Sequence, residues 1–328
     1  MTLALPEVSA GLQERLVDGL ARVEALIEKR IDHDDPFIAE ANVHLLRAGG
    51  KRFRPMLTIL AAELGDGVND DVVTAAAAVE LTHLASLYHD DVMDEAELRR
   101  GTPTANTAYG NSTAILVGDL LFGHASALVA ELGAEAVRIQ AETFIRLCTG
   151  QIRDDRQPPE GEESGAHYMR VLEDKTGVLI ATAARYGAMF SGCPDEVVET
   201  MRVYGERLGM AFQLADDLID IESSEEELGK TPGTDLREGK RTLAVLHALA
   251  STSPEDARLQ QLLRSDLSDD AELAEALSLL RAHPALARAR DETRVVGEQA
   301  QAALVDLPEG EAKTALLALA TSVTSRAS

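Results

Sequence analysis

The chain is short of the groups that staple or anchor a protein. It has two cysteines, Cys148 and Cys193, in 328 residues. Two thiols cannot build a disulfide framework or a cysteine-rich zinc cluster, so a reducing, cytoplasmic setting is expected. There is no Trp, and aromatic residues make up 3%. Basic residues are also scarce, with 31 Lys and Arg against 56 Asp and Glu and a net charge of −25. That deficit excludes a nucleic-acid partner, which needs a broad basic face. It also excludes polybasic docking on an anionic membrane. Small basic sites remain open, because local charge and total charge are separate quantities. No uninterrupted apolar run approaches the 18 or so residues that span a bilayer, so no transmembrane segment is expected. The first ten residues lack the basic-then-apolar order of a signal peptide.

What is present favours helices. Hydrophobic residues are 45% of the chain, enough for a large core. Ala alone accounts for 50 residues, and an Ala-, Leu- and Glu-rich sequence with few β-branched runs is helical. Leu16, Leu20, Val23 and Ile27 recur at helical spacing. Helices are predicted over 71–94, 111–132, 134–153, 168–191 and 196–221. A series of shorter helices follows, broken at 251–254 and 283–284. No alternating strand pattern of useful length and no fixed-period repeat occurs. Three polar loops, at 47–55, 154–166 and 222–241, are too short to be linkers, so a single all-α domain over 1–328 is expected.

Two carboxylate clusters close two of the long helices. In His89-Asp90-Asp91-Val92-Met93-Asp94, Asp90 and Asp94 lie one turn apart on one face, with Asp91 about 100° around. Asp216, Asp217 and Asp220 repeat the pattern at the end of 196–221. Like charges at this spacing cost a helix a few tenths of a kcal/mol, roughly, unless a cation neutralises them. A solvated acidic helix end accounts for either cluster alone. Two such clusters, each following an apolar helix, point instead to hard cations and oxygen ligands, the usual Mg²⁺ chemistry. Facing helix ends would hold two or more Mg²⁺ ions that clamp a diphosphate.

Cations lie close by in sequence. Lys51, Arg52 and Arg54 follow a Gly pair, Arg99 and Arg100 follow the first cluster, and Lys175 precedes Thr176-Gly177. Lys230 and Lys240 flank a Gly-containing loop after the second cluster, and His83 shares the helix face of Asp90. Each alone reads as a surface cation or a core histidine, and Arg52 in particular as solvent-facing. Together they suit a metal–diphosphate site with bidentate Arg contacts.

The motifs Gly50-Lys51-Arg52-Phe53-Arg54-Pro55, His89 to Asp94, Arg99-Arg100-Gly101, Lys175-Thr176-Gly177, Gly209 to Asp220 and Gly229 to Lys240 resemble those of the trans-polyprenyl diphosphate synthases, in order, from about 40 to 245. The tail, 246–328, resembles the family only in being helical. The resemblance implies an all-α isoprenoid-synthase fold around a deep central cavity and a homodimer. It implies Mg²⁺-dependent condensation (two or three ions) of isopentenyl diphosphate with an allylic diphosphate such as farnesyl or geranylgeranyl diphosphate. Carried over, Asp90, Asp94 and Asp216 hold Mg²⁺, supported by Asp91, Asp217 and Asp220. Lys51, Arg54, His83 and Arg100 bind isopentenyl diphosphate. Arg99, Lys175, Thr176, Gln213, Lys230 and Lys240 bind the allylic diphosphate, with Lys175 and the aspartates as the catalytic set. Ala244 and Gln151 depart from common family residues without touching a proposed ligand.

A class I terpene cyclase shares the first motif, but its second metal motif is usually an Asn/Ser/Glu pattern. A non-catalytic subunit of a heteromeric synthase usually loses an Asp cluster. Both alternatives fit less well than a chain-elongating enzyme. Short-chain members carry bulky residues four or five positions before the first Asp, where this chain has Ser86 and Ala85. With Ala75, Ala78 and Thr82 these make a small-residue stripe of roughly 16 Å. The stripe is either a furrow for a growing chain or a close helix–helix contact. A product longer than geranylgeranyl diphosphate, in the hepta- to decaprenyl range, is expected.

Overall fold

The periodic segments become helices in a computed structural model that describes residues 8–223 and 232–325. In chain order they are α1 (Ala10–Ile31), α2 (Pro36–Arg47), α3 (Phe53–Ala62), α4 (Asp70–Met93), α5 (Ala105–Tyr109), α6 (Asn111–Glu131), α7 (Ala134–Asp154), α8 (Ser164–Leu172), α9 (Val178–Phe190), α10 (Asp195–Glu222), α11 (Thr234–Arg237), α12 (Leu243–Leu249), α13 (Ala257–Leu262), α14 (Asp270–Ala282), α15 (Pro284–Ala303) and α16 (Glu311–Ser325). Caps set several boundaries. Asn69 accepts from the Val72 N–H at the start of α4, and Glu163 accepts from Gly165 and Ala166 at the start of α8. Sheet is confined, among the described residues, to a hairpin of β1 (Leu98–Arg99) and β2 (Thr102–Pro103).

The predicted helix over 168–191 is three pieces. Glu173–Gly177 forms a π turn between α8 and α9. One extra residue in a helical turn leaves no periodicity signal, which is why the sequence reads through it.

The contacts divide the chain into two units, each made of three segments. The first comprises Met1–Ile145, Leu179–Gly205 and Leu304–Ala318; the second comprises Arg146–Val178, Glu206–Ala303 and Leu319–Ser328. Four of the five boundaries fall inside helices and the fifth at the end of α15.

In the first unit α4 is the central element. Nearly every side chain from Val72 to Tyr88 is buried, the mark of a helix enclosed on all sides rather than amphipathic. It packs on α6, α3 and α1. The few aromatics are tied down. The Tyr88 hydroxyl donates to the Ala41 carbonyl at 2.6 Å, Tyr186 to Ala136 at 2.7 Å and Tyr204 to Leu316 at 2.7 Å. Each phenol buries a large apolar ring while satisfying its polar tip. Gly187 of α9 crosses α3 so closely that a Cβ there would lie 2.1 Å from the Thr58 carbonyl oxygen.

By length and composition alone α6 could cross a membrane, with mean hydropathy 1.6 and 39% of that stretch buried in the protein, as a core helix of this composition also would. Asp119 interrupts the run in sequence, which hid it from a count of consecutive apolar residues. The ring of Phe122 on α6 stacks on Phe144 of α7 at 3.9 Å. Ile115, Leu116 and Leu120 of α6 and Val137 and Ile145 of α7 remain exposed.

Candidate active site

Residues of the first unit gather at the end of α4. Asp94 caps the helix, its N–H donating to the Asp90 carbonyl at 2.8 Å. Asp90 is half-buried and Asp94 exposed. Asp91 turns the other way and is wholly buried. Its Oδ1 accepts from Arg99 Nε at 2.6 Å, while Oδ2 has no partner. The β1–β2 hairpin carries Arg99 there. Its two turn residues, Arg100 and Gly101, both have positive φ, as a two-residue hairpin turn requires. His89 is fixed by the close approach of α6, where a Cβ on Gly118 would lie 2.3 Å from its Nε2.

The basic loop closes on the same helix. Arg52 is not solvent-facing. It caps α3 in the left-handed conformation and is held by Glu24 Oε1 at 3.0 Å, Glu80 Oε1 at 3.3 Å and the Leu46 carbonyl at 3.0 Å. These bonds offset the steric cost of positive φ in a residue with a Cβ. A Cβ on Gly50 would lie 2.8 Å from Arg100 Nη1 and 3.0 Å from Arg52 Nη1, so the two guanidiniums meet over that glycine. Glu80 lies 3% exposed on α4. Burial pushes its carboxyl above the ordinary range, against the pull of Arg52, Arg54 and Arg100. Burial also lowers Arg54 to about 10, in spite of Glu80. Arg54 Nε is a buried donor without a partner, an arrangement suited to an arriving anion. Burial, then the fields of Arg54, Arg100, Arg99 and Arg52, keep His83 well below its usual range, and hence neutral. Lys51 stands exposed on the loop.

Beneath this cluster the small-residue stripe is packed rather than open. Ala75, Ala78 and Thr82 are 0% exposed and Ala85 1%, so no water-sized space touches them. Thr82 Oγ1 accepts from Gln140 Nε2 of α7 at 2.7 Å. Ser86 is half-buried and donates to the His83 carbonyl at 2.8 Å. Close helix packing fills the stripe.

The second unit holds the other cluster. Gly150 of α7 lets the π turn approach until a Cβ there would lie 2.5 Å from Lys175 N. Lys175 Nζ then pairs with Asp154 Oδ2 at 2.7 Å. Thr176 Oγ1 reaches Gln213 Oε1 at 3.5 Å, and Gln213 Nε2 donates to Asp217 Oδ1 at 3.0 Å. The Tyr168 hydroxyl donates to Asp217 Oδ2 in a short hydrogen bond. Asp217 is 6% exposed, and burial pushes its carboxyl up to about 7. Asp216 is half-buried beside it. Asp220 serves the chain itself. Its Oδ2 accepts from Asp235 N at 3.0 Å and its carbonyl from Gly233 N at 2.9 Å, tying the following loop to α10. Lys240 is exposed, with Glu238 at 2.6 Å. Lys230 lies outside the described residues.

Each half thus assembles locally. Arg54, His83, Arg99 and Arg100 come together around α4, and Lys175, Thr176, Gln213 and Asp217 around α10. Three members were not singled out in sequence: Glu80, Asp154 and Tyr168. Only Glu80 left a signal, as a lone acid inside an apolar helix, where an ionised group needs a partner.

Among the described residues no three His, Cys, Asp or Glu side chains form a ready-made metal cage. The helix ends instead present Asp90 with Asp94, and Asp216, as oxygen donors at least partly open to solvent. This donor set fits Mg²⁺, which takes one or two carboxylates and completes its shell with water and phosphate.

A fold that is almost wholly helical, with carboxylates at two helix ends and basic side chains beside them, is consistent with the isoprenoid-synthase fold of the solved structures it matches. A family model described as Polyprenyl synthetase matches residues 35–280, and the chain belongs to that family. It is 50% identical over 309 residues to the nonaprenyl diphosphate synthase of Mycobacterium tuberculosis, covering 94% of this chain and 92% of that one. A geranylgeranyl pyrophosphate synthase from Corynebacterium glutamicum, solved with calcium and isoprenyl diphosphate, superposes with TM-score 0.88 at 42% identity, covering 97% and 98% of the two chains. A decaprenyl diphosphate synthase from Rhodobacter capsulatus gives TM-score 0.88 at 35% identity, with the same coverage. The protein is therefore an enzyme of the prenyl-transferring type, a polyprenyl diphosphate synthase.

Proposed function

We propose that this enzyme joins isopentenyl diphosphate to an allylic diphosphate, farnesyl or geranylgeranyl, with Mg²⁺, and releases a product longer than geranylgeranyl diphosphate. The observation that carries the reading is the buried, partnerless Nε of Arg54 beside a neutral His83 and next to Arg100. A buried cationic cluster with an unpartnered guanidinium donor, in a protein of net charge −25, is suited to an anion. Arg54, Arg100, His83 and Lys51 bind isopentenyl diphosphate. Lys175, Thr176, Gln213 and Arg99, with Lys230 and Lys240, bind the allylic diphosphate. Two or three Mg²⁺ ions, held by Asp90, Asp94 and Asp216, supply charge neutralisation for the departing diphosphate. Lys175 and Arg99 stabilise the same developing charge by fixed hydrogen bonds. Asp91, Asp217 and Asp220 keep their backbones in place, and the apolar surroundings exclude water from the allylic cation.

The two compact units work as one catalytic domain. The exposed apolar residues of α6 and α7 pair with a second copy of the chain, giving a homodimer. The free thiols Cys148 and Cys193 suit a cytoplasmic compartment. The long product is supported by the similarity to a nonaprenyl synthase and by the small Ala85 and Ser86. A growing chain has least to displace where side chains are small.

The test is a product assay with Mg²⁺, labelled isopentenyl diphosphate and farnesyl or geranylgeranyl diphosphate. Chains of seven to ten isoprene units are expected. Asp90→Ala and Asp216→Ala should each abolish turnover, and retained turnover refutes the metal assignment. Ala85→Phe should shorten the product; an unchanged length distribution removes the chain-length role.

A further inference from the structure

The second aspartate of each cluster is not turned toward solvent. Asp91 is wholly buried and bonded to Arg99, which reaches it from the hairpin. Asp217 is 6% exposed, and its partner from a different element is Tyr168, at mid-length in α8. The first carboxylate is held by a cation, the second by neutral donors on both oxygens. Tyr168 Oη donates to Oδ2 and Gln213 Nε2 donates to Oδ1. With its nitrogen committed to Asp217, Gln213 turns its amide oxygen to Thr176 Oγ1. Tyr168, Asp217, Gln213 and Thr176 form one file of hydrogen bonds within the second unit.

We propose that Tyr168 is a positioning residue. It fixes the Asp217 carboxylate, and through it the orientation of the Gln213 amide, so that Gln213 and Thr176 are set to receive the allylic diphosphate. The inference rests on the assignment of Lys175, Thr176 and Gln213 to that substrate. A buried carboxylate oxygen stripped of its donor is costly, so without the phenol Asp217 turns toward water and releases the Gln213 amide. The phenol touches no reacting atom, and its loss leaves the cationic cluster around Arg54 unchanged.

The test compares Tyr168→Phe, Asp217→Asn and the double variant, all in the full-length protein. Steady-state KM is measured for each substrate. Binding of a non-ionisable thio analogue of the allylic diphosphate is measured by calorimetry with Mg²⁺. Tyr168→Phe should raise the allylic KM and the analogue Kd about tenfold, and leave the isopentenyl KM within twofold. In the Asp217→Asn background the same change should have less than a threefold effect, because the file is already broken. A merely structural role would raise both KM values alike, or act equally in both backgrounds, and either result overturns the proposal. Lys175→Ala separates the two levels. If it leaves the allylic KM unchanged, the substrate assignment fails. If it raises that KM and Tyr168→Phe does not, the positioning role alone fails.

Discussion

Removing the Glu80 carboxylate should destabilise the protein, and the size of the loss depends on what replaces it. Glu80 is 3% exposed and its Oε1 lies 3.3 Å from Arg52 Nη1. At an effective dielectric of about 20, that separation gives an attraction of about 5 kcal/mol before desolvation. The raised position of the Glu80 carboxyl shows that burial outweighs the pull of Arg52, Arg54 and Arg100 on its own charge. The charged form is therefore a net cost to Glu80, while the guanidiniums depend on it. Glu80→Ala takes away charge and acceptor together and leaves Arg54 uncompensated. Breaking a buried pair on one side costs about 3–5 kcal/mol. With a melting entropy of about 2.1 cal/mol/K per residue over a chain of this length, that is a fall in Tm of about 4–7 °C. Glu80→Gln keeps an acceptor for Arg52 and is relieved of the desolvated charge, so its loss should be less than half of that. Scanning calorimetry of the two variants beside the parent checks both numbers. A Glu80→Ala protein within about 1 °C of the parent would falsify the counter-charge role, and a Glu80→Gln protein as damaged as the alanine variant would refute the claim that the retained acceptor spares half of the loss.

Three further outcomes are expected. His83 is held neutral in the fold by burial and by Arg54, Arg100, Arg99 and Arg52, whereas in the unfolded chain it protonates near pH 6.5. Unfolding thus takes up a proton below that pH, and stability should fall by about 1.4 kcal/mol between about pH 7.5 and 5.5 on this account alone. His83→Gln should remove that increment in urea titrations, and a parent-like slope would refute it. Gly118→Ala drives a methyl to 2.3 Å from His89 Nε2, costing about 1–3 kcal/mol of overpacking and weakening Mg²⁺ half-saturation in the activity assay. Gly150→Ala pushes on the backbone at Lys175, 2.5 Å away. It should raise the allylic KM while the isopentenyl KM stays put, and equal changes in both would count against it.

The helical class was legible because Ala-rich periodicity and a 3.6-residue repeat are local properties. The end of α4 at Asp94 and the long α10 follow the predicted spans to within a residue or two. The interruption at Glu173–Gly177 was not legible. A π turn is decided by what packs against it, here Gly150, with Arg146 bonded to Glu173, Asp174 and Glu206. The candidate ligands were visible as residue types at fixed spacing, since carboxylates one turn apart are a one-dimensional pattern. Which of them face solvent was not. Asp91 and Asp217 turn inward, Asp220 ties down a loop, and Arg52 is a buried tether rather than a free cation.

By itself, then, the sequence determined the helices, the two carboxylate clusters and the family to which they belong. Only the tertiary structure decided which acids are held and by what, that Glu80 and Tyr168 are part of the machinery, and that the small-residue stripe is packed shut. The physical reason is range. Propensity and face are set by neighbours a few residues away, whereas burial, counter-charge and close approach are set by groups such as Arg52 and Glu80 or Gly150 and Lys175, which folding alone brings into contact.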